Sequence, residues 1–262
     1  MNPTPFDRLP AAMRRLLAAL AVACAAASFA AMSAAEARPP EQALAVGQAL
    51  PGAFFQRPEG PGPFPTVIVL GGSEGGDFTA RQMAPLLLGQ GYAVLGLPYY
   101  SPDWGGGSSL PALPEAFHDI PLDRLETARD WLRAQPEAAG SPIGVYGVSK
   151  GAEFALAGAS RIEGFDAVVA IVPSDVIWEG WGPGTTEGRS SGFSWRGEPL
   201  PFVPYVGMRA ELAKFGQPGS APRLRTPHDA GRNAHPDRVE AARIRVEAID
   251  EPVLVAGGDE DG

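Results

Sequence analysis

Short apolar runs alternate with longer amphipathic stretches from residue 65 onward, and this alternation is typical of a parallel sheet flanked by helices. The runs TVIVL (66 to 70) and YAVLGL (92 to 97) predict buried strands. Between them, TARQMAPLLLGQ (79 to 90) predicts a helix that ends before Gly91. Together they predict one strand–helix–strand unit.

The same alternation continues through the rest of the chain. Apolar residues recur at helical spacing in PLDRLETARDWLRAQ (121 to 135), with Pro121 in the first turn of that predicted helix. PIGVYGV (142 to 148) predicts the next strand, and the predicted helix GAEFALAGAS follows it. FDAVVAIV (165 to 172) and EPVLVAGG (251 to 258) predict two further strands. The predicted fold class is therefore α/β, a mostly parallel sheet with helices on both faces.

A long segment separates the last two predicted strands. Residues 173 to 250 are rich in glycine, proline and tryptophan, whereas connections in compact domains are usually only a few residues long. We therefore expect a lid insertion over one edge of the sheet. Neither an internal repeat nor a second domain is apparent in the sequence.

The N-terminus differs in composition from the rest of the chain. Arg14 and Arg15 precede LLAALAVACAAASFAAMSAA, an apolar, alanine-rich stretch that is typical of a secretory signal and short for a membrane span. An Ala-x-Ala site ending at Ala37 predicts a signal peptide at 1–37 and a mature domain at 38–262. We expect a secreted or periplasmic protein. An amphipathic or buried helix is the alternative interpretation.

Cysteine and charge limit the chemistry and the partners. Cys24 is the only cysteine, so the predicted mature domain has no thiol nucleophile. Because LAVAC resembles a lipobox that ends at Cys24, lipidation there is a second alternative, and membrane attachment is expected only in that case. The formal net charge of −9 gives an acidic surface that repels nucleic acid. We expect no nucleic-acid partner.

A serine stands between two glycines directly after a predicted strand. Gly147, Ser149 and Gly151 form the pattern Gly-x-Ser-x-Gly, which on a sharp strand-to-helix turn exposes the serine hydroxyl. We interpret Ser149 as a nucleophile, with an ordinary helix-capping serine as the alternative. The backbone N–H of Lys150 is then the first predicted donor to an oxyanion.

A glycine-rich stretch supplies the second predicted donor. VLGGSEGG (69 to 76) follows the first predicted strand, and its glycines allow the backbone to approach a substrate closely. The backbone N–H of Ser73 is the predicted partner of the oxyanion. A tight turn or a phosphate cradle is the alternative, but the chain has neither a P-loop nor a Gly-x-Gly-x-x-Gly fingerprint. We expect no cofactor and no metal.

The catalytic acid is predicted at the end of VLVAGGDEDG (253 to 262). Asp261 is the first candidate and Asp259 the second, with a solvated acidic turn as the alternative. In α/β-hydrolases the base histidine follows the acid along the chain. The three histidines all precede it, and we interpret them as surface residues: His118, His228 and His235. We therefore expect the base, with a final strand and helix, beyond Gly262.

These motifs resemble those of the C-terminal catalytic domain of the acyl-CoA thioester hydrolase and bile acid-CoA:amino acid N-acyltransferase family. The matching stretches lie within residues 57 to 205 and include RPEGPGPFPTVIVLGGSEGG, GVYGVSKGAEFALAGAS and SWRGEPLPFVPY. Dienelactone-hydrolase-like enzymes are looser relatives. The resemblance implies an α/β-hydrolase fold, a nucleophile at Ser149, an acid near Asp261 and acyl transfer from a thioester. Amidating members typically carry cysteine as nucleophile, so the serine favours hydrolysis.

Two functional hypotheses remain open on the sequence. The first is a secreted serine hydrolase of a small-molecule acyl ester or thioester. The second is a catalytically inactive binding or accessory protein that keeps the fold but has lost the base. Five aromatic residues are candidates for the wall of an acyl pocket, although core packing is the favoured interpretation for each: Tyr99, Tyr100, Trp178, Trp181 and Trp195.

Overall fold

The structure is a computed structural model of the 262-residue chain, and it describes residues 44–103, 110–214, 217 and 222–258. The predicted signal peptide, Cys24 and both candidate acids, Asp259 and Asp261, lie outside the described residues. Ser73, Ser149, Lys150 and the three histidines lie within them.

A seven-stranded sheet forms the centre of the described part of the chain. Its strands are β1 (Leu44–Ala45), β2 (Phe54–Gln56), β3 (Thr66–Leu70), β4 (Ala93–Gly96), β6 (Ile143–Val148), β7 (Ala167–Ile171) and β10 (Val253–Ala256). They lie side by side in the order β1-β2-β4-β3-β6-β7-β10. β2 is antiparallel to both of its neighbours, and the strands from β4 to β10 are parallel. This mostly parallel order confirms the predicted α/β-hydrolase fold class.

Helices cover both faces of this sheet. On one face α1 (Phe78–Gly89) packs against Val67 and Val69 of β3. On the other face α2 (Asp123–Ala134) and α3 (Lys150–Ala159) share a core with Ile68 and Leu70. All five residues of β3 are buried, because a central parallel strand has helices on both sides. None of the helices in the described ranges is long and apolar enough to cross a membrane.

The sequence pattern located the parallel strands and the three covering helices to within a few residues. It was wrong about Pro121, which precedes the helix α2 instead of standing in its first turn. Ile120–Pro121 form a two-residue strand, β5, that pairs with Phe193 and Ser194. Proline lacks an N–H group and fits only at the margin of a ladder, and here the N–H groups of Ile120 and Leu122 make the bonds.

The segment between β7 and β10, residues 173–250, is called the cap segment below. Its elements are short: β8 (Phe193–Trp195), β9 (Glu198–Pro199), α4 (Met208–Leu212), α5 (Arg225–Ala234), α6 (Pro236–Ala241) and a 3₁₀ turn at Val246–Ala248. β8 lies between β5 and β9 in a separate three-stranded sheet. The cap segment also has a buried cluster of its own, which includes Trp178 and Tyr205. The predicted insertion is therefore a folded structure with its own small core.

Candidate active site

Ser149 lies at the junction of β6 and α3, in what we call the nucleophile turn (residues 147–151). Its backbone has φ 52° and ψ −117°, a combination that strains a residue with a Cβ atom. The Ser149 N–H donates to the carbonyl oxygen of Ile171 at 2.8 Å, which ties the turn to β7. The side chain of Ser149 is exposed, whereas both Gly147 and Lys150 are buried. The chain thus presents a hydroxyl group at the apex of a strained turn.

The two glycines of the motif are required by close backbone contacts. A Cβ atom at position 147 would overlap the carbonyl group of Gly151. A Cβ atom at position 151 would overlap the carbonyl oxygens of Leu70 and Gly71, at the end of β3. The glycines therefore let β6, α3 and the end of β3 meet at a separation that no larger residue allows.

The glycine-rich turn (residues 70–76) lies beside the nucleophile turn. A Cβ atom built on Gly72 would stand 3.2 Å from the Cβ of Ser149. Ser73 is exposed. The backbone N–H groups of Ser73 and Lys150 donate to no other residue within the described ranges. Each of these two N–H groups belongs to a residue next to the contact between Gly72 and Ser149, which is compatible with an oxyanion hole. Their role stays a prediction.

The glycine-rich turn is held by side chains to which the sequence analysis gave no such role. The Glu74 carboxylate accepts the Gly72 N–H at 2.9 Å and the Thr79 hydroxyl at 2.5 Å. The Tyr99 hydroxyl donates to the carbonyl oxygen of Gly71 at 2.6 Å. Burial raises the pKa of Tyr99, so that its hydroxyl stays protonated and remains a donor. Only the tertiary contacts identify these residues, because Glu74 alone in a sequence looks like a solvated loop acid.

The side chain of Lys150 points into the protein. Its Nζ atom lies 2.8 Å from Oε2 of Glu153, one turn further along α3. Oε1 of Glu153 accepts the backbone N–H of Trp178 at 3.0 Å. Burial lowers the pKa of Lys150 and raises the pKa of Glu153, and their mutual attraction opposes both shifts. In the sequence SKGAE the only sign of this pair is a lysine followed three residues later by a glutamate. Because exposed pairs on helices have the same spacing, the sequence could not show that this pair is buried.

None of the histidines hydrogen-bonds to Ser149 within the described part of the chain. Nδ1 of His118 lies 3.1 Å from Oδ2 of the neighbouring Asp119. His235 ends α5 and precedes α6. His228 differs from the expected surface residue because its ring packs edge-on against Trp178 and Tyr205. The base and the acid both stay predictions.

The register of the sheet places the end of β10 at the same edge as Ser149. Val148 pairs with Ile171, and Ile171 pairs with Ala256, the last residue of β10. Because carboxyl ends of parallel strands meet at one edge, Gly257 and Gly258 leave the sheet on the side of the nucleophile turn. An acid at Asp261, outside the described residues, stays a prediction. In the ranges that the structure describes, no cluster of three potential metal ligands occurs.

The aromatic residues considered for a pocket wall divide into two groups. Tyr99, Tyr100 and Trp178 are at most 4% exposed, and both tyrosine rings pack edge-on against Phe117. Trp181 and Trp195 are only partly buried against the core. The favoured interpretation, core packing, agrees with the burial of the first three.

Comparisons with known proteins agree with these motifs. The family model described as "BAAT / Acyl-CoA thioester hydrolase C terminal" matches residues 120–262, which is more than half of the chain. The model of the dienelactone hydrolase family matches residues 52–179. These two ranges overlap across the nucleophile turn.

Curated relatives and a solved structure are also similar to parts of the chain. Acyl-coenzyme A thioesterase 1 of Mus musculus is 34% identical over 66% of this chain and 36% of its own length. Acyl-coenzyme A thioesterase 2, mitochondrial, of Rattus norvegicus is 42% identical over 45% of this chain and 24% of its own length. A crystal structure of 2,6-dihydroxy-pseudo-oxynicotine hydrolase is 18% identical, with a TM-score of 0.40 over 78% of this chain and 48% of that chain. The chain thus spans about a third or less of these curated relatives.

Proposed function

The chain belongs to the BAAT/acyl-CoA thioester hydrolase C-terminal family, and from this premise we propose that it is a serine hydrolase that cleaves an acyl thioester or ester. The observation that carries the proposal is the exposed Ser149 hydroxyl on a strained strand-to-helix turn. Strain of this kind is kept at functional sites, because a relaxed turn would not hold the hydroxyl at the apex.

The proposed reaction passes through an acyl-enzyme. The Ser149 oxygen attacks the acyl carbon while a base takes its proton, and the carbonyl oxygen becomes an oxyanion. The N–H groups of Ser73 and Lys150 stabilise that oxyanion. Collapse of the tetrahedral intermediate expels the thiol or alcohol, which receives the proton. A water molecule then attacks the acyl-enzyme by the same route and releases the acid. We assign the acid to Asp261 and leave the base histidine unassigned.

The substrate class follows from the relatives. The matched proteins are named as acyl-coenzyme A thioesterases, and we propose acyl-CoA thioesters or a chemically similar ester as the substrate. A serine nucleophile favours water over an amine as the acceptor of the acyl group.

Two measurements on the full-length protein test this proposal. A fluorophosphonate probe should label the wild type and Ser160→Ala, whose serine lies at the far end of α3, but not Ser149→Ala. Ser149→Ala should also lower turnover of acyl-CoA thioesters or p-nitrophenyl esters by about three orders of magnitude or more. A folded wild-type protein that neither reacts with the probe nor turns over any substrate in the panel would favour the inactive binding protein.

We further propose that residues 1–37 are a signal peptide and that the protein acts outside the cytoplasm. The support is the arginine pair before an alanine-rich apolar stretch and the Ala-x-Ala site at Ala37. Because an exported enzyme is separated from cytoplasmic CoA, this location favours an ester, or a thioester of a thiol other than CoA, among the proposed substrates. Mass spectrometry of the protein from its native cells should find an N-terminus near Arg38. An intact Met1, or a diacylglyceryl group on Cys24, would contradict this assignment.

A further inference from the structure

The lysine that follows the candidate nucleophile is buried, although its backbone alone has a role in the proposed reaction. The side chain of Lys150 is 8% exposed and that of Glu153 is 2% exposed. Taking two charges out of water carries a large desolvation cost, which an apolar pair of similar volume would avoid. The proposed chemistry uses only the N–H of Lys150, so the buried ammonium group needs another explanation.

The chain contains a second lysine that serves as a comparison. Lys214, just after the end of α4, pairs with Glu211 at 2.7 Å, again three residues away but with the glutamate first, and its side chain is 39% exposed. The spacing by itself therefore does not require burial. The difference lies in the surroundings of Lys150.

Three aromatic rings surround the Lys150 ammonium group. Its Nζ atom lies 5.5 Å from the ring centre of Phe117, 5.5 Å from that of Trp181 and 5.7 Å from that of Tyr205. Two of the rings belong to the cap segment, and Phe117 forms a backbone bridge with Trp181. A cation over these ring faces is attracted to each of them. The cation–π contacts of the ammonium group thus connect the cap segment to the first turn of α3.

Glu153 makes the second connection between the same two regions. One carboxylate oxygen accepts the Lys150 ammonium group, and the other accepts the Trp178 N–H. A charged acceptor strengthens both hydrogen bonds. The backbone N–H of residue 153 donates to the Ser149 carbonyl oxygen at 3.1 Å as part of α3, so the glutamate side chain stands one helical turn from the candidate nucleophile.

We propose that Lys150 and Glu153 are positioning residues, which join the cap segment to the nucleophile turn and hold the Ser149 hydroxyl and the Lys150 N–H in their reactive orientation. This inference rests on the proposed hydrolase function. A small displacement of reacting groups can lower turnover by about 100-fold, so a fixed α3 N-terminus matters for the oxyanion donor.

The test separates positioning from folding by comparing single and double variants. Lys150→Met and Glu153→Gln each leave one buried charge without its partner, so both should lower the thermal midpoint. The double variant, Lys150→Met with Glu153→Gln, leaves no unpaired charge and should recover most of the midpoint. Its kcat should nevertheless stay about 10- to 100-fold below that of the wild type, with a smaller change in KM. Lys150→Arg keeps the charge and should restore part of kcat, and Lys214→Met should match the wild type.

Normalisation keeps the result independent of the folded fraction. Each kcat is expressed per fluorophosphonate-titrated site, so protein that fails to fold does not enter the value. A double variant with wild-type kcat per titrated site would overturn the proposal while leaving the hydrolase function intact.

A measurement that does not depend on turnover tests the connection between Glu153 and the cap segment even if the protein is not a hydrolase. Hydrogen exchange at the Trp178 amide should be faster in Glu153→Ala than in Lys214→Met, because only the first loses the acceptor. Equal protection in both variants would overturn the connection between Glu153 and the cap segment, whether or not the protein is an active hydrolase.

Discussion

The nucleophile turn and the cap segment meet at the start of α3, but they are held by different kinds of interaction. The path of the turn is constrained by its backbone: the Ser149 N–H bonds to β7, and Gly147 and Gly151 leave no space for a side chain, so that the proposed Lys150–Glu153 contact adds only the final orientation. The cap segment is held by side chains, such as the ring of Trp178 stacked on that of Tyr205 with centres 4.9 Å apart.

This difference decides how each region responds to substitution. A backbone-held turn excludes larger residues at its glycines but leaves the side chain at its apex free to face solvent. A side-chain-held segment depends on a few large groups, and truncating one of them removes much of its support. We therefore expect substitutions that remove large side chains to destabilise the cap segment, and substitutions that add side-chain atoms to destabilise the nucleophile turn.

The largest expected effect is on the cap segment. Trp178→Ala removes a side chain that is 2% exposed and deletes the hydrogen bond from its ring nitrogen to the Ser174 hydroxyl at 2.7 Å. The free energy of unfolding should fall by about 3–5 kcal/mol, measured by urea denaturation. Trp195→Ala, at a partly buried position of the same segment, should cost clearly less. Equal losses would mean that burial of Trp178 does not support the cap segment.

Crowding the nucleophile turn should give the next effect. Gly151→Ala places a methyl group on the carbonyl oxygens of Leu70 and Gly71, so the backbones must separate at a cost of about 1–3 kcal/mol or more. Gly89→Ala is the matched control, because a Cβ atom at the end of α1 meets nothing within 4 Å. That control should raise stability by about 0.5–1 kcal/mol. A neutral Gly151→Ala would show that the turn has room to relax.

Removing the strain at the apex should have a smaller and opposite effect. Ser149→Gly deletes the Cβ atom that disfavours φ 52°, and the relief of about 1–3 kcal/mol exceeds the added chain entropy of glycine of about 0.5–1 kcal/mol. The unfolding free energy should therefore rise by about 1 kcal/mol while turnover is lost. Ser149→Ala keeps the Cβ atom and should show no gain. Equal stabilities of the two variants would argue against strain at this position.

The smallest effect is a pH dependence in the cap segment. Burial against Trp178 and Tyr205 is the main cause that lowers the pKa of His228 below its ordinary value of 6.5. The positive charges of Lys150 and Arg232 lower it further, whereas Asp229 and the bond to the Leu224 carbonyl oxygen oppose the shift.

The sign of this dependence follows from proton counting. Between the folded pKa and 6.5, the unfolded chain binds more protons at position 228 than the folded chain. His228 therefore lowers stability as the pH falls through this window, and the loss is absent above it. Thermal midpoints of the wild type and His228→Phe should diverge below pH 6.5 in favour of the variant. Parallel pH profiles would remove His228 as the cause.

Much of the fold and the position of the candidate nucleophile could be predicted from local pattern. TVIVL and PIGVYGV are apolar at nearly every position because central parallel strands are covered on both faces, so they stand out in the sequence. Gly147, Ser149 and Gly151 were recognisable because the three residues of the motif lie within five positions of the chain, although the carbonyl oxygens of Leu70 and Gly71 that exclude a side chain at position 151 are distant in sequence.

Other features could not be predicted, because their partners are distant in sequence. The strand β5 exists only where Ile120 meets Phe193, more than 70 residues later. The support of the glycine-rich turn by Tyr99 and the bond from the Trp178 N–H to Glu153 both join separate segments. The sequence identifies each of these residues but not the residue it contacts.

The amino-acid sequence by itself thus determined the fold class and the turn that carries Ser149, because hydrophobic period and glycine spacing act over a few residues; the family followed from the resemblance of whole motifs. Only the tertiary structure decided which charges are buried. Lys150 and Lys214 each lie three residues from a paired glutamate, in opposite order along the chain, yet one side chain is 8% exposed and the other 39%. The reason is physical: burial depends on what packs on the helix from elsewhere in the chain, and at Lys150 that is the aromatic part of the cap segment.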